Sequence, residues 1–256
     1  MIRFLRGVLI SILLLVAIAG VVAWTCPAEL AYRFAADALV PVRMHDLTGS
    51  IWQGHAGAAE VLGMSLGTID WKLQAQPLLR GEIVAHVTVA GDGMGGSGIV
   101  NYSGGQTAFD DATLRMPARL AAPVLAIPML ELLGTIEIDI AHARLHDQWL
   151  DDAAGTVRWH DAAVAGAAQA KLGDLRATFA STADGSIAGV VDDLGGPLEL
   201  AGTFKANRNA YEAQARLASR GDNAQVSEAL QFIGQAQADG SRNLEIRGRP
   251  LIPPVP

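Results

Sequence analysis

Residues 135–145 read TIEIDIAHARL, so Ile136, Ile138 and Ile140 alternate with Glu137 and Asp139. A period of two places the isoleucines on one side of an extended chain and the acids on the other, the pattern of a half-buried strand. The alternation recurs at Gly67–Leu73, Gly81–Val89, Gly98–Tyr102, Ala112–Met116 and Asn243–Gly248, and glycines separate many of these runs. The chain has 28 Gly but only 5 Trp, 3 Tyr and 6 Phe. Its core must therefore be built from small and aliphatic side chains. The expected fold class is mainly β, with antiparallel strands and a few short helices.

The first residues set a different constraint. Arg3 and Arg6 precede Gly7–Trp24, 18 residues without a charge that include Val8 and Leu14. As a helix this run spans about 27 Å, close to the hydrocarbon thickness of a bilayer. Arginines before the span and none directly after it predict a cytoplasmic start and an exported body, with Trp24 as an interfacial anchor. A cleaved signal peptide is the competing reading, because Ala17-Ile18-Ala19 resembles a cleavage site. Cleavage there would leave the apolar stub Gly20–Trp24. The lone Cys26 follows Ala23-Trp24-Thr25, which does not suit lipid-modification processing.

Four regions are expected. Residues 1–24 form the start and anchor. Residues 25–41 hold a short helix, opened by Pro27, and a linker. Residues 42–146 form a first β unit, and 147–256 a second with a Pro-rich tail. The division rests on an internal repeat. Gly49 pairs with Gly155, Gly67 with Gly173, Gly81 with Gly185, Gly98 with Gly202, and Gly134 with Gly234. Each unit is expected to close on a short helix, Met129–Leu133 in the first and Asn223–Ile233 in the second. Pro123 and Pro128 forbid one long helix over Pro117–Leu133.

Signs of chemistry are weak. A net charge of −7 disfavours nucleic acid, whose phosphates need clustered Lys and Arg. One cysteine excludes an intramolecular disulfide and multi-cysteine metal sites. His142 and His146 would share a helix face, but on a strand they stand about 13 Å apart. The adjacent pairs Asp110-Asp111, Asp151-Asp152 and Asp192-Asp193 fit turns better than an acid–base dyad. Gly91-Asp92-Gly93-Met94-Gly95-Gly96 precedes a strand rather than a helix, so it reads as a hairpin loop and not a dinucleotide loop. The sequence has no nucleophile elbow. No catalytic residue, metal ligand or cofactor is expected.

Several elements together resemble the type II secretion system protein N family. One is the short start with a single anchor. A second is Gly49-Ser50-Ile51-Trp52-Gln53-Gly54, similar to the family's order of glycine, small residue, apolar residue, tryptophan, any residue, glycine. A third is Trp71-Lys72-Leu73 followed by Pro77-Leu78-Leu79-Arg80-Gly81, and a fourth is Phe232-Ile233-Gly234 with Leu244–Gly248. His55 stands where the family pattern has Arg, and Ser241 is inserted before Arg242. The resemblance implies a non-enzymatic, single-pass inner-membrane protein with a periplasmic body. Its partners would be other secretion-system components, met by strand addition. The motif residues read as structural. Ile51 and Trp52 would face opposite sides of a regular strand, whereas Trp71 and Leu73 share one. Repeated β units behind an anchor also resemble the AsmA-like proteins, whose curved sheets imply a lipid-binding groove as the alternative.

Overall fold

The computed structural model describes residues 26–35, 42–61, 64–121, 130–146, 149–166 and 169–249. Helix α1 (Ala28–Ala35) precedes strands β1 (Val42–Gly49), β2 (Gln53–Val61) and β3 (Met64–Leu73). A single helical turn, α2 (Ala75–Leu78), leads to β4 (Ile83–Gly91), β5 (Met94–Ser103) and β6 (Gln106–Pro117). After a 3-10 turn at Ala118–Ala121 come β7 (Leu130–His146), β8 (Trp149–Gly166), β9 (Ala170–Ser181), β10 (Ile187–Asp193), β11 (Leu198–Ala206) and β12 (Tyr211–Ser219). Helix α3 (Ala224–Leu230), the two-residue β13 (Gln235–Ala236) and β14 (Arg242–Gly248) complete the described chain.

All 14 strands form one antiparallel sheet in the order β1 to β12, then β14 and β13. Each strand from β2 to β11 pairs with both of its sequence neighbours, because short turns leave an extended chain nowhere nearer to find backbone partners. Hydrogen bonding continues from β7 to β8 across residues 146–149, so the two expected units share one sheet. The central strands are the longest, with 17 residues in β7 and 18 in β8. Cα atoms on β9 and β11 approach within 8 Å, as do those on β8 and β10. Two spacings in a flat sheet measure about 9.6 Å, so the sheet bends there.

Alternate strands run in opposite directions, which sorts the connections onto two rims. The β1–β2, β3–β4, β5–β6, β7–β8, β9–β10 and β11–β12 turns share one rim. Cys26 and Pro27 join this entry rim: the Ile51 N–H donates to the Cys26 carbonyl at 3.1 Å, and Pro27 bridges Ser50. The far rim carries the 3-10 turn after β6 and α3 after β12. Three of the repeated glycine pairs also fall six strands apart: Gly67 and Gly173 in β3 and β9, Gly81 and Gly185 before β4 and β10, Gly98 and Gly202 in β5 and β11. Gly49 and Gly155 do not correspond, since Gly49 ends β1 whereas Gly155 lies inside β8.

The main core lies on one face near the far rim. Leu132, Ile136, Val164, Leu175, Leu198 and Leu217 pack there with Val226, Ala229 and Leu230 of α3. Asn223 caps α3 by accepting from the Val226 N–H at 3.1 Å. The helix expected at Met129–Leu133 is corrected from Leu130 onward: Leu130–Leu133 opens β7, pairing with Ala163–Gly166, and Leu132 gains burial that a free helical turn would lack. The helical turn comes earlier, at Ala118–Ala121.

Large rings compensate for the many glycines. A Cβ at Gly54 would collide with the Trp71 indole, and those at Gly155 and Gly189 would collide with Phe179 and Phe204. These are cross-strand partners, so each ring lies over the bare backbone opposite it. Trp71 Nε1 also donates to the Ile51 carbonyl at 3.2 Å, and Trp159 Nε1 donates to the Leu133 carbonyl at 2.8 Å. Gly54→Val should displace the Trp71 ring and lower stability by about 1–3 kcal/mol, the usual cost of overpacking. Urea unfolding of the purified chain, followed by far-UV circular dichroism, measures this loss.

Candidate functional site: a two-faced sheet

Following the register across the sheet gives one continuous row. Leu47, Ala56, Ile69, Val89, Gly96, Leu114, Ile138, Val157, Ala177, Val191, Gly202, Ala215 and Leu244 stand side by side from β1 through β12 to β14. Every member is aliphatic or glycine. Directly paired residues project from the same side of an antiparallel ladder, so this is an apolar face crossing 13 strands. All three hydrophobic clusters draw on it. Away from the far-rim helices most of the row is half-buried rather than enclosed.

The adjacent row faces the other way: Thr48, His55, Asp70, Thr88, Ser97, Thr113, Asp139, Thr156, Thr178, Val190, Thr203, Gln214 and Glu245. Only Val190 is apolar. Opposite charges pair across strands on this face, Arg158 with Asp139 at 2.7 Å and Arg176 with Asp192 at 2.6 Å, and His160 Nε2 lies 3.0 Å from Glu137 Oε2. His55 Nδ1 lies 2.8 Å from Asp70 Oδ1. Such partly exposed pairs contribute little stability individually. They neutralise one another and leave a solvated surface. Among the described residues no three His, Cys, Asp or Glu side chains are placed to hold a metal ion.

Aspartates also fix turns. Asp184 in the β9–β10 turn accepts from Lys205 Nζ at 2.6 Å and from Thr182 Oγ1 at 2.6 Å, which holds its carboxyl well below the usual range. Asp239 before β14 accepts from the Ser241 hydroxyl at 2.5 Å and pairs with Arg216 at 2.6 Å, lowering its pKa to about 2. The inserted Ser241 is thus a buried turn brace. Burial pushes Asp193 upward, but the Leu200 N–H at 2.9 Å, Arg220 at 2.8 Å and the Gly195 N–H outweigh it, and its pKa falls. Two expected turn pairs are corrected: Asp110-Asp111 lies inside β6 and Asp151-Asp152 inside β8, while Asp192-Asp193 ends β10.

The motif residues gather at the entry rim of β1–β4. Gly49 ends β1 at φ +84, and its Cβ would lie 2.6 Å from the Gln53 carbonyl. Ile51 and Trp52 lie in the β1–β2 turn, not on a strand as expected, because this turn needs residues whose backbone bonds leave the ladder. The Trp52 carbonyl instead accepts from the Leu73 N–H at 2.7 Å. Trp71 and Leu73 share a face of β3. Pro77 and Leu78 sit in α2, and Leu79 and Gly81 follow it. Gly234, at φ +61, and Gly248, against the Tyr211 ring, lie at the opposite lateral edge and take no part in that cluster. Val8, Leu14 and Trp24 lie outside the described residues, and no described helix is long and apolar enough to cross a membrane.

Several positions that build the faces escaped sequence reading. Asp46, Asp111 and Asp161 take left-handed backbone conformations with φ near +50. At Asp111 and Asp161 the strand carries one residue more than its partner: Asp110 to Thr113 of β6 spans Ile99 to Ser97 of β5, and His160 to Ala163 of β8 spans Thr135 to Leu133 of β7, whereas the β1–β2 register runs unbroken past Asp46, which stands opposite Gly57. Acidic residues beside broken alternation were the available signal, since Asp adopts this conformation more readily than most residues.

Stability from the three lowered carboxyls exists above their unfolded pKa, near 3.9, and disappears as pH falls through the folded values. The urea midpoint should therefore fall between about pH 4 and pH 2. Asp239→Asn, which has no proton to gain there, should show a smaller decline than the parent chain across the same titration.

Residues 41–245 match the family profile described as type II secretion system (T2SS), protein N. The chain is 29% identical over 117 residues to the type II secretion system protein N of Vibrio cholerae serotype O1, covering 44% of this chain and 46% of that protein. The match thus spans about half the length of this curated relative. No solved structure matches the chain. The profile covers the sheet from β1 into β14 together with the Gly49–Gly54 and Trp71–Gly81 elements, and the chain belongs to the type II secretion system protein N family.

Proposed function

We propose that this protein is a non-enzymatic accessory component of the type II secretion system, held in the inner membrane by residues 7–24 with its sheet in the periplasm. The observation that carries this reading is the family match over nearly the whole sheet. The uncharged 18-residue run and the two arginines before it support the anchor and its orientation. Partners are other inner-membrane and periplasmic components of the same machinery.

Strand addition gives a physical route to such a partner. At one lateral edge, the Met44 N–H of β1 donates to the Tyr32 hydroxyl of α1 at 3.0 Å, so α1 covers part of that edge. At the other, β13 pairs only with Arg242 and Asn243 of β14. Beyond them, Leu244–Gly248 has no second strand among the described residues, and Ile246 is exposed. A photo-crosslinker at Ile246 in intact envelopes should capture a secretion component, whereas one at exposed Val190 on the polar face should not. Deleting the gene should reduce the release of secreted enzymes, and the anchored chain should restore it. Unchanged release after deletion argues against an essential role.

A lipid-holding trough is the second reading. Its support is the uninterrupted apolar row, which few soluble sheets leave without a covering layer. Mass spectrometry after mild extraction should detect lipid with the purified chain, and Ile138→Asp should reduce it. Lipid-free protein from mild extraction counts against this reading.

A further inference from the structure

We infer that the entry rim of β1–β4 rests on the bilayer surface, with Leu79 entering the boundary between headgroups and acyl chains. The inference depends on the anchor proposed above and adds an orientation and a lipid contact to it.

The first argument is tethering. Residues 1–25 precede the described chain, and the apolar run within them ends at Trp24, two residues before Cys26. Two residues reach at most about 7 Å. Cys26 is not free to drift from the sheet, because its carbonyl accepts from the Ile51 N–H at 3.1 Å and the next residue, Pro27, bridges Ser50. The β1–β2 turn must therefore stay within a few residues' reach of the point where the anchor leaves the bilayer. No long linker lets this rim turn away.

The second argument is how the rim is built. The Trp52 carbonyl binds the Leu73 N–H at 2.7 Å, tying the β1–β2 turn to the end of β3. From there Gln74 donates to the Val84 carbonyl at 2.8 Å, and the chain makes the α2 turn. Pro77 is buried, and its carbonyl accepts from both Arg80 and Glu82, at 2.8 and 3.1 Å. This locked turn leaves Leu79 89% exposed, far more than any other large apolar residue among the described ones. A leucine fixed outward by a buried proline gains nothing from water. It gains burial if a lipid surface lies beneath it. Arg80 beside it is also exposed, and its guanidinium would reach the phosphate level while Leu79 sits deeper. The two motif elements then act together as a foot that orients the sheet relative to the membrane.

Position-specific lipid quenching tests the contact. The full chain, with Cys26→Ser removing its one cysteine, is placed in nanodiscs of phosphatidylethanolamine and phosphatidylglycerol. A fluorophore is attached at Leu79→Cys or at Leu194→Cys, an exposed position on the far rim. Doxyl-labelled lipid should quench the Leu79 probe several-fold more strongly than the Leu194 probe. Equal or weaker quenching at Leu79, in a chain that still resists carbonate extraction, overturns the contact and leaves the anchor standing. Shielding of the Leu79 probe from aqueous quencher without lipid quenching also overturns it, and points to a protein partner. Extraction by carbonate defeats the anchor, and the contact with it.

Discussion

The structure depends on a register kept across the whole sheet. Because side chains alternate at every residue, a one-residue slip between any two strands would turn all later apolar positions toward water. From Leu47 on β1 to Leu244 on β14 the apolar row passes through twelve pairings without such an error. The long strands would lose this order if they stayed perfectly regular, since pairing partners of unequal length fall out of step. Bulges at Asp111 and Asp161 absorb part of the mismatch. Their left-handed backbone costs of order 1 kcal/mol each, and beside Asp161 it accompanies the burial of Ala162.

A single layer sorted this way has an unusual balance. Most sheets bury their apolar face against a second layer. Among the described residues only the far rim has such cover, from the 3-10 turn and α3, and there the core closes around Leu132, Leu198 and Val226. Toward the entry rim, packing relies on small clusters such as Ala56, Ala59 and Ile69 beneath Trp71. Sparse aromatic rings laid over glycines substitute for bulk side chains. The same scarcity leaves the apolar row half-covered. On the polar face, acids and bases pair across strands at Arg158–Asp139 and Arg176–Asp192.

Much of this was legible beforehand. The isoleucines of 135–145 alternate plainly, and β7 follows them. Pro27 marked α1, and Val226, Leu230 and Ile233 marked α3 and its contact with the core. The Trp71 ring fills the space above Gly54. Other features misled for physical reasons. Met129–Leu133 is apolar throughout, so its sequence could not separate a helical turn from a strand end, and pairing with β8 decided it. Adjacent aspartates favour turns in isolation, yet in long strands one of them can supply a bulge. Ile51 and Trp52 looked like strand residues because apolar side chains are uncommon in turns, but Trp71 and Cys26 both bind this turn from outside it.

By itself the sequence determined what is local: the two-residue period, the glycine punctuation, the uncharged run of 18 residues and the order of the family motifs. Each follows from covalent geometry and side-chain character over short stretches, where no distant residue is needed. Tertiary structure alone decided that the described strands join into one sheet, that thirteen apolar positions align into a row, and that the Ile51-Trp52 turn meets both Cys26 and Trp71. Those outcomes depend on which strand pairs with which, and in what register. That choice is a sum of small burial and hydrogen-bond terms over the whole molecule, which no single segment encodes.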